Sequence, residues 1–298
     1  MQTRRYGATS MPGAPLMAGS QSKVWMITGV STGLGRALAE AVLAAGDRVV
    51  GTVRSAAALA EFTALAPDRA IGLLLDVTDE KAVHAAAAEA EARTGGIDIL
   101  VANAGYGLVG GVEEASLAEI RAQFEVNVFG AVATIQAVLP FMRARRAGRI
   151  LPVTSVSGLV GWPSLGIYSG SKFALEGICE TLALEVAPLG IAVTMIEPGG
   201  LKTDFATRSR FETARQIEEY DATIGQSRRI LAEHAGHEGG DPARAAQAIL
   251  AVAAAETPPL RLLLGTDALG YAQHKLSAQQ AEIVAWAPLS ATSDFTAA

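Results

Sequence analysis

From Lys23 onward, the hydrophobic pattern changes regularly between two periods. Short apolar runs typical of buried strands are followed by stretches in which apolar residues recur every three or four positions, which is typical of helices. We expect strands at 24–30, 48–53, 71–75, 97–102, 149–155, 191–197 and 260–264. We expect helices at 33–46, 56–66, 79–93, 116–146, 167–189 and 241–256. This alternation predicts an α/β fold, a doubly wound parallel sheet of about seven strands with helices on both faces.

The chain ends and connections differ from this pattern in two places. Residues 1–22 are rich in Gly, Ser, Pro and Met and have no apolar run after Arg4 and Arg5, which argues against a secretory signal. We expect a disordered extension there, with a targeting role as the alternative. Residues 23–298 are expected to form a single domain. The polar, Gly-rich stretch at about 201–240 is expected to be a loop that closes over the substrate.

Composition narrows the function classes. The net charge is −6 without a basic patch, so we expect no nucleic-acid partner. We expect no membrane contact, because no apolar run approaches bilayer length. The single cysteine, Cys179, fits a cytoplasmic protein in which it packs in the core or an interface. His234 and His237 lie in a Gly-rich stretch without a further ligand, so we expect a solvated loop and no metal site.

A glycine-rich turn joins the first strand to the first helix. Its glycines allow a tight turn and close backbone approach to a ligand, and the N–H groups that open the helix suit a pyrophosphate. A plain strand–helix connection is the alternative. The residues expected to bind a dinucleotide there are Gly29, Ser31, Thr32, Gly33, Leu34 and Gly35.

The ends of the next strands extend this site. No acidic residue ends the second strand, and Arg54 there can bind a 2′-phosphate, so NADP(H) is favoured over NAD(H). A solvated loop arginine is the alternative. Asp76 and Val77 are placed to contact adenine, although Asp76 equally suits the start of a turn. The small residues at 103–105 leave room for a ribose; they are Asn103, Ala104 and Gly105.

Tyr168 and Lys172 lie one turn apart on one face of a predicted helix. A nearby ammonium lowers a tyrosine pKa toward the range of a general acid or base. Ser155, at a strand end, can polarise a substrate oxygen. Asn127 can hold a water that relays protons to Lys172, and a helix-bending core amide is its alternative. Pro152 lacks an N–H, which predicts an unpaired position or bulge near Ser155.

Taken together, these residues resemble the short-chain dehydrogenase/reductase family in its compact single-domain, hydroxysteroid-dehydrogenase-like branch. The matching segments are TGVSTGLG (28–35), DV (76–77), NAG (103–105), Asn127, Ser155, Tyr168/Lys172 and PGGLKTDF (198–205). The resemblance implies a Rossmann-type fold, hydride transfer at a carbonyl or alcohol carbon, and an Asn127–Ser155–Tyr168–Lys172 tetrad. It also implies a homodimer or homotetramer built on the helices that carry Asn127 and Tyr168. The residues that it places at the nicotinamide are Pro198, Gly199 and Thr203.

The predicted function is an NADP(H)-dependent oxidoreductase acting on a small-molecule carbonyl or secondary alcohol, with Tyr168 as general acid/base. The alternatives are a non-catalytic nucleotide sensor or scaffold of the same fold, and an epimerase or dehydratase, for which the chain after Phe205 is short. A medium-sized, largely apolar substrate is expected. Its pocket is predicted to include Tyr106, Leu108, Trp162 and Phe205, for which simple loop packing is the alternative.

Overall fold

The computed structural model describes residues 22–203 and 208–295. The predicted N-terminal extension lies, except for Ser22, outside the described residues, and so does Phe205.

A parallel sheet organises the described part of the chain. The strands are β1 (Val24–Thr28), β2 (Arg48–Val53), β3 (Ala70–Leu74), β4 (Ile99–Ala102), β5 (Gly107–Val109), β6 (Gly148–Pro152), β7 (Ile191–Val193), β8 (Met195–Pro198), β9 (Arg210–Glu212) and β10 (Arg261–Leu264). Six of them form one parallel sheet in the order β3-β2-β1-β4-β6-β7. The change of direction on either side of β1 confirms the doubly wound, Rossmann-type fold.

Helices cover both faces of this sheet. They are α1 (Gly33–Ala44), α2 (Ala56–Thr63), α3 (Glu80–Thr94), α4 (Leu117–Phe124), α5 (Ala131–Arg145), α6 (Gly166–Val186), α7 (Gln226–His234), α8 (Pro242–Ala254) and α9 (Thr266–Ser290). Because successive strand residues point to opposite faces, Met26 packs in one core cluster and Ile27 in the other. Cys179 is fully buried in the first cluster, as expected for a packing residue.

The prediction of one strand over 191–197 was wrong in detail, and the parallel sheet, expected with about seven strands, has six. The strand is interrupted at Thr194, so that β7 pairs with β6 whereas β8 pairs with β10. The Thr194 hydroxyl donates to the carbonyl oxygen of Pro259 at 2.6 Å and fixes this break. A bridge between Val153 and Ile196 connects the β8–β10 pair to the six-stranded sheet.

Pro152 causes no bulge on the β4 side, so of the two outcomes expected near Ser155 the structure has the unpaired position. It pairs with Ala102, and the next N–H, of Val153, donates to the Ala102 carbonyl at 2.9 Å. Alternate residues of a strand direct their N–H groups to opposite neighbours. The missing N–H of Pro152 therefore points toward the break between β7 and β8, where the ladder is already interrupted.

The long helix predicted over 116–146 is divided. The division is a π-helical turn at Glu125–Gly130, whereas Pro140 lies inside α5. Contrary to the sequence expectation, the stretch Leu117–Arg145 is long and apolar enough to cross a bilayer by length and composition alone. Ile135, Val138 and Met142 are buried against the sheet, so a core helix accounts for the same composition.

The sequence pattern did not predict the strands β5 and β9 or the helix α9. The short strands β5 and β9 pair in parallel and attach the segment after residue 208 to the loop that follows β4. The helix α9 has 25 residues and is buried only at Ala268 and Ala272. Both features bring residues distant in sequence to the same edge of the sheet.

Candidate active site

A cavity of about 1440 Å³ opens at the carboxyl ends of β1, β2, β4 and β6. This is the edge at which parallel α/β sheets bind ligands. All predicted site residues except Asn127 line it: Gly29, Ser31, Thr32, Gly33, Leu34, Gly35, Arg54, Asp76, Val77, Asn103, Ala104, Gly105, Ser155, Tyr168, Lys172, Pro198, Gly199 and Thr203. The structure thus brings together residues from across the chain at one site.

The turn before α1 has the geometry of an anion cradle. Gly29 and Gly33 have φ of 74° and 63°, in the left-handed region that favours glycine. A β-carbon on Gly35 would lie 2.3 Å from the Gly29 carbonyl oxygen, so only glycine fits. Side chains cap the N-termini of α2, α3, α4 and α8, but Thr32 makes no side-chain hydrogen bond to α1. The N–H groups of α1 are therefore available to a phosphate.

Asn103 supports this turn from the neighbouring strand. Its Nδ2 donates to the carbonyl oxygens of Thr28 and Gly29 at 2.8 and 3.1 Å. The Thr28 hydroxyl accepts the N–H of Asn103 at 2.9 Å and that of Ala104 at 3.0 Å. The side chain predicted to leave room for a ribose thus fixes the position of the glycine turn.

The adenosine end of the cavity has an exposed arginine and an exposed carboxylate. Arg54 follows β2 without an acidic neighbour at the strand end, which suits a 2′-phosphate. Asp76 Oδ1 accepts hydrogen bonds from the Thr78 N–H and hydroxyl at 3.0 and 2.8 Å. These bonds, with the charge of Arg54, hold the pKa of Asp76 below its usual value. The turn interpretation of Asp76 therefore has direct support.

Tyr168, Lys172 and Ser155 meet at the deep end of the cavity. Tyr168 and Lys172 lie on α6, where Lys172 Nζ is 5.9 Å from the centre of the Tyr168 ring and donates to the Val153 carbonyl oxygen at 2.9 Å. The Ser155 hydroxyl hydrogen-bonds with Tyr168 and accepts the Ser157 N–H at 3.0 Å. The predicted Ser–Tyr–Lys constellation is thus assembled.

Burial dominates the electrostatics of these groups. It raises the pKa of Tyr168 to about 12, against a smaller lowering by the Ser155 hydrogen bond. It lowers the pKa of Lys172 to about 8, and the charges of Glu176 and Cys179 oppose that lowering. The protein's own groups therefore do not bring the pKa of Tyr168 below its usual value, which differs from the sequence expectation. A cationic ligand beside the phenol is the remaining way to lower it.

Asn127 lies behind the cavity wall in the π-helical turn. Its Oδ1 accepts the Tyr106 N–H at 3.0 Å, and its Nδ2 donates to the Tyr106 carbonyl and to Ser171 Oγ at 2.9 and 3.1 Å. These bonds support the interpretation as a core amide at a helix distortion. Gly105 lies between the Asn127 amide and the Lys172 ammonium group. A β-carbon on Gly105 would be 3.1 Å from Asn127 Oδ1 and 3.7 Å from Lys172 Nζ.

The other half of the cavity combines aromatic and aliphatic side chains with polar ones, among them His234, His237 and Asp267. Tyr106 packs edge-on against Phe211 with ring centres 5.4 Å apart, and Trp162 against Tyr271 at 4.5 Å. Leu108 contributes to the same wall, so three of the four predicted pocket residues lie there. Phe211 belongs to β9 in the segment predicted to close over the substrate, and this segment lines the cavity where it is described.

Sequence reasoning missed several groups that shape the site. Glu114 accepts N–H groups of Gly111 and Ile217 and pairs with Arg228, which anchors the cavity-lining segment 208–240. Asp267 and Tyr271 reach the cavity from α9. A glutamate in a loop gives no sequence signal for such a contact. The buried Glu176 was detectable, because it lies four residues after Lys172 on the same helix face.

The fold and this site define a dinucleotide-binding oxidoreductase. A family model described as short chain dehydrogenase matches residues 23–214, and the chain belongs to that family. It is an oxidoreductase that acts on CH–OH or C=O groups with NAD or NADP, and it resembles hydroxysteroid dehydrogenases.

Individual relatives and structures agree with this assignment. The chain is 38% identical to "Oxidoreductase BOA17" of Botryotinia fuckeliana over 91% of its length and 99% of that protein. It is 38% identical to mouse (Mus musculus) 17-beta-hydroxysteroid dehydrogenase type 1, over 80% of this chain and 72% of that one. A short-chain dehydrogenase from Streptomyces avermitilis superposes with a TM-score of 0.86 at 41% identity, covering 92% of this chain and 98% of that chain.

Two further structures contain nucleotides. A Burkholderia phymatum short-chain dehydrogenase/reductase in complex with NAD has a TM-score of 0.75 at 28% identity, with 87% and 95% of the two chains covered. An alcohol dehydrogenase from Thermococcus sibiricus complexed with 5-hydroxy-NADP has a TM-score of 0.67 at 25% identity, with 82% and 96% covered. The neighbours thus include both nucleotides.

Proposed function

We propose that this protein is an NADP(H)-dependent oxidoreductase that interconverts a carbonyl and a secondary alcohol, with Tyr168 as the general acid/base. One observation carries the proposal: Tyr168, hydrogen-bonded to Ser155 and one turn from Lys172, lies in the same cavity as the uncapped N-terminus of α1. A dinucleotide with its pyrophosphate at α1 has room to extend past Gly105 to Tyr168.

Each polar side chain of the site has its own role in the proposed reaction. The bound nicotinamide supplies or accepts the hydride. Ser155 Oγ and Tyr168 Oη hold the substrate oxygen, and Tyr168 donates its proton to that oxygen in reduction or receives one in oxidation. Lys172 supplies positive charge beside the phenol and a donor for the ribose. Pro198 and Gly199 line the end of the cavity that would hold the nicotinamide, and Thr203 lies beside Gly33 at the glycine turn.

Arg54 supports the preference for NADP(H). A carboxylate at the end of β2 would repel a 2′-phosphate, and this chain has an exposed guanidinium there instead. Arg54 therefore forms charge-assisted hydrogen bonds to the 2′-phosphate in the proposed complex.

The cavity walls favour an apolar substrate of medium size. The ring pairs Tyr106–Phe211 and Trp162–Tyr271, with Leu108, offer apolar surface in the cavity that also contains Tyr168. Similarity to hydroxysteroid dehydrogenases supports a bulky carbonyl compound of this kind. The proposed partner is this small molecule, not a nucleic acid or membrane.

Exposed apolar side chains support a homodimer or homotetramer. Phe129, Phe173, Ile178 and Leu184 lie on or beside α5 and α6, and Leu184 is 77% exposed. Apolar patches of this kind are typical of interfaces between copies. We propose a cytoplasmic location on the single, buried cysteine.

The test is turnover by a Tyr168→Phe variant. Wild-type protein mixed with NADPH and a panel of bulky apolar ketones should consume NADPH. Removal of the phenolic proton donor should lower kcat by about 10²- to 10⁴-fold while NADPH still binds. Retained turnover in this variant would contradict the role of Tyr168. Tight NADPH binding without turnover of any ketone or alcohol by the wild type would instead support the non-catalytic alternative.

A further inference from the structure

Two glutamates that the proposed reaction does not use are buried behind the active site. Glu176 lies on α6, one turn after Lys172, and is 4% exposed. Glu197 lies on β8, immediately before Pro198, and is fully buried. Buried carboxylates are costly unless they are paired or protonated. Their position therefore needs an explanation in terms of charge.

One guanidinium serves both glutamates. Arg261 Nε, on β10, donates to Glu176 Oε2 at 3.0 Å and lies 3.3 Å from Glu197 Oε1. Arg261 Nη2 donates to Glu180 Oε2 at 2.6 Å, at the surface end of the same helix face. A single cation thus faces three carboxyl groups, two of which are buried.

Apart from this ion-pair contact of Arg261 with Glu197, the other carboxyl oxygens of Glu176 and Glu197 accept no hydrogen bond within the described part of the chain. Glu176 Oε1 and both oxygens of Glu197 are buried and have no hydrogen-bond partner among the described residues. Nevertheless, the two carboxyl groups lie within hydrogen-bonding reach of each other. Two acceptors in contact satisfy each other only when one carries a proton.

Charge and burial favour Glu197 as the protonated partner. Burial and the negative charge of Glu176 raise the pKa of Glu197 to about 8, against a lowering by Arg261. Glu176 in turn raises the pKa of Lys172 against the effect of burial. Gly158 makes this placement possible, because a β-carbon there would be 2.9 Å from Glu176 Cγ.

We propose that Glu176 and Glu197 hold one proton between them, clamped by Arg261, and that Glu176 is a positioning residue whose charge keeps Lys172 protonated. The inference rests on the proposed role of Lys172 beside Tyr168. The groups that face Lys172 are Glu176 and Cys179 on its own helix, the Val153 carbonyl just after β6, and Tyr168. Glu197 is faced by Glu176 and Arg261.

The pH profile of kcat/KM for NADPH-dependent reduction tests this role. Glu176→Gln removes the charge beside Lys172, so Lys172 loses its proton at a lower pH. We expect the alkaline limb to move down by about one pH unit, which lowers activity at pH 8 about fivefold. Melting temperature and NADPH affinity, measured in parallel, separate this effect from misfolding.

Glu180→Gln is the matched control. It removes the other hydrogen bond of Arg261 from the same helix face, but at an exposed position farther from Lys172. Its alkaline limb should stay in place. An unmoved limb in Glu176→Gln, or an equal shift in Glu180→Gln, overturns the inference even when Tyr168→Phe is inactive as proposed. Retained activity in Tyr168→Phe overturns the proposed function instead.

Glu197→Gln tests the shared proton independently of catalysis. The amide replaces a neutral acid and can donate to Glu176, so this variant should fold and keep activity at pH 7 within about twofold. The infrared C=O stretch of a protonated carboxyl should be present in the wild type and missing from this variant. A large activity loss at pH 7, or an infrared spectrum identical to that of the wild type, overturns the shared proton. This variant also decides the matter if Glu176→Gln does not fold.

Discussion

Glu114 and Arg228 form a buried ion pair, with 2.5 Å between Glu114 Oε2 and Arg228 Nη2. The pair joins the loop before α4 to α7, and Arg228 Nη2 also donates to Thr213 Oγ1 at 3.0 Å. It therefore holds the segment that carries Phe211 and Ile230 against the rest of the cavity wall. The position of that wall depends on this contact because α7 itself buries no residue.

We predict that Glu114→Gln destabilises the protein at neutral pH and raises KM for a bulky substrate. Burial raises the pKa of Glu114, but the N–H groups of Gly111 and Ile217 and the Arg228 guanidinium outweigh it and hold the pKa below its usual value. A carboxyl with a lowered folded pKa contributes stability above its unfolded pKa of about 4.5, and that stability is lost as pH falls through the folded value.

The measurement is the free energy of unfolding of both proteins across pH. We expect a difference of about 2–4 kcal/mol at pH 7, which disappears in strong acid. Glu113→Gln is the control, because Glu113 is exposed and its contacts within the described residues, to Tyr220 and Arg215, lie at the surface. Equal destabilisation by both substitutions at pH 7 would contradict the role assigned to the buried pair.

We predict that Arg54→Ala weakens NADPH binding more than NADH binding. The substitution removes a charge-assisted hydrogen bond worth about 1.5–3 kcal/mol, so the Kd for NADPH should rise about 10- to 100-fold. Titration calorimetry with both nucleotides measures the ratio directly. Arg244→Ala, at an exposed position on α8, controls for the loss of one positive charge. An unchanged NADPH:NADH ratio in Arg54→Ala would show that Arg54 is a solvated loop residue.

We predict that Gly35→Ala impairs nucleotide binding and lowers stability. The added methyl group would lie 2.3 Å from the Gly29 carbonyl oxygen and 2.4 Å from Asn103 Nδ2. Both atoms belong to the phosphate turn and its support, so the turn must shift at a cost of about 1–3 kcal/mol. Melting curves with and without NADPH measure the effect.

Gly177→Ala provides the contrast for that experiment. Gly177 lies in α6 and an added β-carbon would meet nothing within 4 Å. This change should raise stability by about 0.5–1 kcal/mol through helix propensity and leave NADPH binding unchanged. If Gly35→Ala behaves in the same way, the turn tolerates a side chain and our account of it is wrong.

We predict that Leu184→Asp dissociates the proposed oligomer. Leu184 is the most exposed of the large apolar residues on α6, and a carboxylate placed at an apolar interface is desolvated without a partner. Light scattering after gel filtration should show a lower mass than for the wild type. Leu74→Asp, at a 56% exposed apolar residue of β3, should leave the mass unchanged. A monomeric wild type would remove the basis for the prediction.

The sequence indicated the sheet and most of the site because their determinants are local. The apolar runs placed both ends of β1, β2 and β4 within two residues of their observed positions. The glycines at 29, 33 and 35 located the phosphate turn. Parallel strands end at one edge, so residues that follow them had to meet there. Tyr168 and Lys172 were paired by helical periodicity alone.

Other features depended on contacts between distant segments and left no local pattern. The π-helical turn forms where Asn127 bonds the backbone of Tyr106, so periodicity alone predicted one continuous helix over 116–146. The division of 191–197 into β7 and β8 follows from a change of partner strand at Thr194. The pairing of β5 with β9 joins three-residue strands that are too short for any periodic pattern.

The sequence by itself determined the order of strands and helices, the glycine turn and the identity of the residues at the sheet edge. Only the tertiary structure decided how charge is distributed around them. Burial and the approach of β8 and β10 to α6 bring Glu197 and Arg261 to Glu176, whose charge acts on Lys172 one helical turn away. Because pKa values depend on desolvation and on neighbours from other elements, no spacing along the chain could have given them.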